Sequence, residues 1–194
     1  MKPTQRVYKC LPYQEFANGN YKLVPIREED KYFIMQLRNE QIEILRQQEF
    51  LSKEKQDVYF KNVVENLFGQ ERPSQLLFSF LENERLIGYG GLVHIDWESK
   101  NGEISFLTET QRSNNEPIFK EDFRNYLTVI ASIAFEFLQF IKLTTTVYEI
   151  KERITYLNVI EEFGFVREAE LRKQILIKGS LNKVLIYSYF NRGK

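Results

Sequence analysis

The chain has 194 residues, of which 43% are apolar, 14% aromatic and 28% charged, the composition of a folded domain and not of a disordered or fibrous one. Its 27 basic residues balance 27 acidic ones, so no net positive field directs it to nucleic acid or to an anionic membrane. Cys10 is the only cysteine, which excludes an internal disulfide and a thiolate metal cluster and fits a reducing, cytoplasmic setting.

Residues 1–12 are polar with a proline near each end and read as an arm. They hold no apolar core of signal-peptide length, and nowhere do about 18 apolar residues run together, so neither export by that route nor a membrane span is expected. The length suits one domain over 1–194, with no repeat or linker to divide it.

Tyr13 to Phe16 and Tyr21 to Ile26 read as two strands around the turn signal Asn18-Gly19. Asp30 is placed to cap a helix carrying Phe33, Ile34 and Leu37, with a break expected near Glu43 to Gln48. Ser52 begins a second helix, Glu54 suits its dipole, Phe60, Val63, Val64 and Leu67 form its buried stripe, and Gly69 stops it. Gln75 to Leu81 reads as a strand.

From Arg85 to Phe106, apolar and polar side chains alternate on either side of the turn Glu98-Ser-Lys-Asn-Gly102, which predicts a β-hairpin. With Trp97 opposite Gly102, His94, Asp96, Glu103 and Ser105 share one face and Ile95, Trp97, Ile104 and Phe106 the other. The only histidine in the chain then lies beside two carboxylates, a general-base neighbourhood. Gly88, Gly90 and Gly91 mark a bulge or a close approach of backbone or ligand.

After a polar loop, Thr110 to Pro117, the stripe Phe123, Leu127, Ile130, Ala131, Ala134, Phe137, Leu138 and Ile141 predicts a long amphipathic helix. Lys142 to Tyr148 is strand-like. A further helix uses Ile154, Leu157, Ile160 and Phe163 as its inner face and ends at Gly164 in a left-handed cap with Phe165 packing back. Two strands, about Val166 to Ile177 and Leu181 to Phe190, close the chain.

That order, with Leu86-Ile-Gly-Tyr-Gly-Gly-Leu92, Gly102-Glu-Ile-Ser-Phe106 and Glu162-Phe-Gly-Phe-Val-Arg-Glu-Ala-Glu-Leu-Arg172, resembles the GCN5-related N-acetyltransferase superfamily over roughly residues 20–190. The C-terminal segment is similar to the ribosomal-protein-acetylase branch. Leu37-Arg-Asn-Glu40 and Leu51 to Phe60 are similar to the branch that acetylates nucleotide-linked amino sugars. The resemblance implies an α+β fold in three layers, with a mixed, mostly antiparallel sheet of about seven strands flanked by about four helices.

It also implies acetyl-CoA as co-substrate, its thioester lying where the superfamily's fourth strand parts from the fifth. Glu103 matches the strand position where many relatives carry a glutamate and is the expected base, assisted by His94. A backbone N–H near Leu107 and Thr108 is expected to polarise the carbonyl. The superfamily's leaving-group tyrosine is Ile160 here and its asparagine is Arg153, which leaves Tyr156, one turn earlier, as the candidate acid.

The superfamily's Gln/Arg-x-x-Gly-x-Gly/Ala pyrophosphate loop is absent. Gln111 to Glu116 and Arg112 to Pro117 are the nearest matches, with Ser113 and Asn114 at the turn and Arg112, Lys120 and Arg153 as partners for the phosphates. The implied acceptor is a small-molecule amine, with Asp96 and Ser105 lining its site and Arg38 and Arg46 on the diphosphate of a sugar nucleotide. A protein N-terminus is the alternative acceptor, and a binding module that has lost acetyl-CoA is the alternative of another class. The last two strands offer an edge for a homodimer. No metal is expected.

Overall fold

A computed structural model describes residues 6–191 and 193, so the start of the predicted arm, residues 1–5, lies outside the described residues. The remainder of that arm is not a polar appendage. Tyr8 and Leu11 are buried, and the Tyr8 hydroxyl donates to Leu77 O and accepts from Leu77 N–H, each at 2.8 Å.

Among the described residues, eight strands form one sheet in the order β1-β2-β3-β4-β5-β6-β8-β7, one more than the resemblance implies. They are β1 (Phe16–Asn18), β2 (Tyr21–Pro25), β3 (Leu76–Glu82), β4 (Arg85–Asp96), β5 (Asn101–Thr108), β6 (Lys142–Tyr148), β7 (Val166–Ile177) and β8 (Ser180–Phe190). Every neighbouring pair is antiparallel except β5 with β6. That parallel pair is short: Asn101 faces Lys142, Gly102 faces Leu143, Glu103 faces Thr144, and there the ladder stops. β7, one of the two strands expected to offer an edge, is an outer strand and leaves Val166, Leu171 and Leu176 exposed.

On one face lie α1 (Lys31–Glu40) and α2 (Lys53–Tyr59); α2 continues through a π-helical turn, Phe60–Val64, into α3 (Glu65–Leu67). Ser52 caps α2 as expected, its hydroxyl accepting from Lys55 N–H at 3.2 Å. Asp30 does not cap α1. Its buried carboxylate takes two bonds from Arg27, at 2.7 and 2.8 Å, and one from the Ser79 hydroxyl at 2.6 Å, which pins the helix start to β3.

The other face carries α5 (Glu116–Ser132), extended by a π-helical turn to Phe137, and α6 (Ile154–Phe163). The predicted loop before α5 contains a helical turn, α4 (Thr110–Ser113). Phe119, Phe123, Tyr126 and Tyr156 from α5 and α6 meet Phe80 and Phe106 of the sheet in a continuous aromatic core; such rings bury large areas and favour offset or edge contacts. Gly164 ends α6 at φ +110° and Phe165 N–H returns to Ile160 O at 2.9 Å, the predicted cap. Two stripe residues are corrected: Ile141 and Ile154 are about half exposed, and the buried face of α6 is Tyr156, Val159 and Ile160. The first lies beyond the end of its helix and the second at the first turn, where periodicity no longer dictates direction.

The strand glycines serve packing. A Cβ on Gly90 would stand 2.2 Å from Ser105 O and 2.5 Å from the Tyr126 hydroxyl. Its absence lets Tyr126 reach through the sheet and donate to Ser105 O at 2.6 Å.

Candidate active site

The β4–β5 hairpin forms, but in a different register. Asp96 faces Asn101, Val93 faces Glu103, and between them His94 and Ile95 make a bulge. His94 takes φ +49°, a left-handed conformation that costs a non-glycine residue of order 1–3 kcal/mol and is usually held for a purpose. Here it turns the imidazole onto Glu103, with Nδ1 2.8 Å from Oε2. Asp96, expected beside them, instead accepts the backbone N–H groups of Glu98 and Ser99 at 3.0 and 2.9 Å and shapes the turn. These bonds hold its carboxyl below the ordinary value, the side-chain bond from Ser99 foremost.

Glu103 is clasped from the opposite side by Arg46, whose Nη2 lies 2.7 Å from Oε1. The carboxylate is 17% exposed and the imidazole 66%. Arg46 comes from the segment after α1, where a 3₁₀ turn, Ile42–Ile44, leads the chain over the sheet.

Beyond Glu103 and Thr144, β5 and β6 run on without pairing. Glu109 N–H bonds Ile87 O at 2.8 Å. Alternation along β5 therefore turns the backbone groups of Ser105 and Leu107 toward β4, and those of Ile104, Phe106 and Thr108 toward β6. The N–H group expected at Leu107 thus belongs to the β4 ladder, and Phe106 is the residue whose N–H faces the gap. Thr108 O is met by Gln41 Nε2 at 2.8 Å, and its side chain bonds Ile87 O at 2.9 Å. The Ile104 and Phe106 edge therefore has no strand partner and is open to the hydrogen-bonding groups of a ligand.

A cleft of about 500 Å³ opens there, lined by Arg38, Arg46, His94, Glu103, Ser105, Phe106, Thr145, Tyr148, Arg153 and Tyr156 among others. Tyr156 is buried, its hydroxyl 2.8 Å from Thr145 Oγ1 and its ring stacked on Phe123 at 4.4 Å. Burial pushes its phenol above the ordinary value. Arg153 lies over the same ring, 3.7 Å from its centroid, and burial pulls its guanidinium down from the ordinary arginine value. Sequence reasoning missed Thr145 and Tyr148. Thr145 was detectable as the polar residue on the inward phase of a strand whose neighbours Leu143 and Val147 are buried.

Two of the residues expected to meet the phosphates, Arg112 and Lys120, are engaged within the chain. Arg112 turns inward and grips Asp122 through Nε and Nη2, at 2.7 and 2.6 Å, with Glu82 at 3.1 Å and the Tyr21 hydroxyl on the same aspartate at 3.0 Å. Lys120 pairs with Glu116 at 2.6 Å. Ser113 and Asn114 end α4 without entering the cleft lining. Asn115 caps α5, its side-chain oxygen accepting from Ile118 N–H at 3.4 Å, so this helix start is already closed by the chain itself. The gap accordingly fits the amide-bearing arm of CoA, and of the proposed phosphate partners only Arg153 stands in the cleft.

A family profile described as an acetyltransferase (GNAT) domain matches residues 23–185. No curated protein matches the sequence. Among solved structures, the spermidine N-acetyltransferase of Vibrio cholerae in complex with CoA and spermine superposes with a TM-score of 0.72 at 19% identity, covering 89% of this chain and 96% of that one. A dodecameric form of the Vibrio cholerae enzyme gives 0.72 at 20% identity over 91% and 100%, and a probable acetyltransferase gives 0.70 at 18% over 91% and 96%. At such identities the superpositions speak for the fold alone. The profile spans most of the chain, and the protein belongs to the GNAT acetyltransferase family.

Proposed function

We propose that the protein transfers an acetyl group from acetyl-CoA to the primary amine of a small molecule. The observation that carries this is the Glu103 carboxylate, held between Arg46 and His94 at the point where β5 and β6 part. Glu103 accepts the proton of the incoming ammonium, and His94, largely exposed, passes it to solvent. As the N–C bond forms and the C–S bond breaks, the Phe106 N–H steadies the charge on the carbonyl oxygen. Tyr156 then protonates the departing thiolate, its hydroxyl aligned by Thr145, and is reprotonated by the second proton that the nitrogen gives up as the amide forms. CoA release followed with a thiol reagent, against a panel of amines, tests this; no release with any amine contradicts it.

Because burial raises the Tyr156 phenol, the acid form persists through neutral pH, and the rate is expected to show no alkaline limb from this group below about pH 10. Tyr156→Phe is expected to lower kcat about tenfold or more with little change in acetyl-CoA affinity, as read by steady-state kinetics. An unaltered kcat removes Tyr156 as the acid.

For the acceptor, a nucleotide-linked amino sugar is supported at Arg38, which lines the cleft, and less at Arg46, whose guanidinium is committed to Glu103. The shared element is an amine that also carries negative charge.

A further inference from the structure

A second pocket, of about 230 Å³, branches from the cleft beneath α1 and α2, and Arg38, Gln75, Val93 and Ser105 line both. Ser105 stands two residues from Glu103 on the same strand face, so the branch begins beside the proposed base. The rest of its lining is Ile26, Ile34, Leu51, Phe60 and Leu77, with Tyr59, Tyr89 and Gln56, whose side-chain amide donates to Lys31 O at 2.8 Å. The space far exceeds the ~30 Å³ of one water, and an apolar branch of this kind takes a hydrocarbon group and not a hydrated one.

Arg38 stands where branch and cleft join. Its Nε donates to Gln47 Oε1 at 2.9 Å and its Nη1 to the Tyr89 hydroxyl at 2.7 Å. Both partners are neutral, and among the described residues no carboxylate pairs with it. A partly buried guanidinium without a counter-charge favours a ligand that brings one, and its planar fork suits a carboxylate or phosphate. The balance of the cleft agrees: among the described residues, Arg38, Arg46 and Arg153 line it against the single carboxylate of Glu103, and none with an acidic side chain lines the branch. A polycation entering here would place its additional ammonium groups among guanidiniums, which is unfavourable wherever water is excluded.

Resting on the acetyl-transfer reading, we propose that the acceptor is a primary amine bearing both an anionic group and an apolar substituent, as a hydrophobic α-amino acid does, and that polyamines are rejected. The substituent fills the branch, the anion meets Arg38, and the amine is left at Ser105 facing Glu103.

The test compares matched amines with acetyl-CoA and the full chain: L-phenylalanine, phenethylamine, which lacks the carboxylate, glycine, which lacks the side chain, and spermidine. L-Phenylalanine is expected to exceed each of the others at least tenfold in kcat/KM. Glucosamine 6-phosphate, which carries an anion and no apolar substituent, is expected to fall below L-phenylalanine together with glycine, and turnover equal to that of L-phenylalanine removes the substituent requirement and overturns the proposal. Arg38→Gln is expected to shrink the ratio of L-phenylalanine to phenethylamine to near one, and Arg38→Lys to retain part of it. Phenethylamine, glycine or spermidine turned over as well as L-phenylalanine overturns the acceptor class and leaves acetyl transfer standing. No transfer to any amine overturns both.

Discussion

Glu103→Gln is expected to lower kcat for amine acetylation by about 10²-fold or more while leaving acetyl-CoA affinity unchanged. The substitution is nearly isosteric, and the remaining amide oxygen still accepts from Arg46, which lies 2.7 Å away in the wild type. What disappears is the basic oxygen proposed to take the ammonium proton, which faces His94 at 2.8 Å. Since the residue lies at the end of the β5–β6 ladder and not along the open gap, the donor's binding surface is untouched. Steady-state thiol release and calorimetry on the same preparation separate the two quantities. An unchanged kcat removes Glu103 from the chemistry, and a parallel loss of acetyl-CoA affinity reassigns it to binding.

Arg112→Met is expected to destabilise the fold by about 3–5 kcal/mol, the range for breaking a buried ion pair from one side. Asp122 has no side-chain exposure, and Arg112 is its only cationic partner among the described residues. Its bonding to Asp122 holds the Arg112 guanidinium above the ordinary arginine value. Without it the aspartate keeps only the Tyr21 hydroxyl, at 3.0 Å. The double variant Arg112→Met, Asp122→Leu is expected to recover much of the loss, because it removes the stranded charge as well. Urea unfolding midpoints measure both. A variant of normal stability with weakened acetyl-CoA binding would return Arg112 to the phosphate role that the sequence suggests.

Arg112 also shows where sequence reasoning ends. An arginine in a polar loop just ahead of a long helix has the position of an anion ligand, and nothing local reveals that Asp122, ten residues on and buried, claims it. The pairing exists only once α4 folds back on α5. The hairpin was legible because alternation and turn residues are local signals. Its register was not: the turn closes tighter than expected, so that Asp96 faces Asn101 and not Glu103, and the bulge at His94 and Ile95 then shifts every partner beyond it by a further residue. Glu103 and Ser105 still reached the cleft, because alternation along β5 is intact. Asp96, on the bulged strand, did not. The glycines of β4 announced a close approach, and only the tertiary structure shows that Tyr126 makes it. The aromatic core was visible as composition and as a helical stripe. The clasp of Arg46 on Glu103 joins residues 57 apart in the chain and depends on how the segment after α1 crosses the sheet, which no pattern encodes.

The gap between β5 and β6 is the feature on which the functional assignment turns, and calorimetric titration of the wild-type chain with acetyl-CoA, with free CoA alongside, tests it most directly. Binding of both in the micromolar range is expected, showing that open strand edges and Arg153 hold the donor without a glycine loop. No heat from either would contradict this and leave a GNAT fold that has kept its polar cleft for some other ligand.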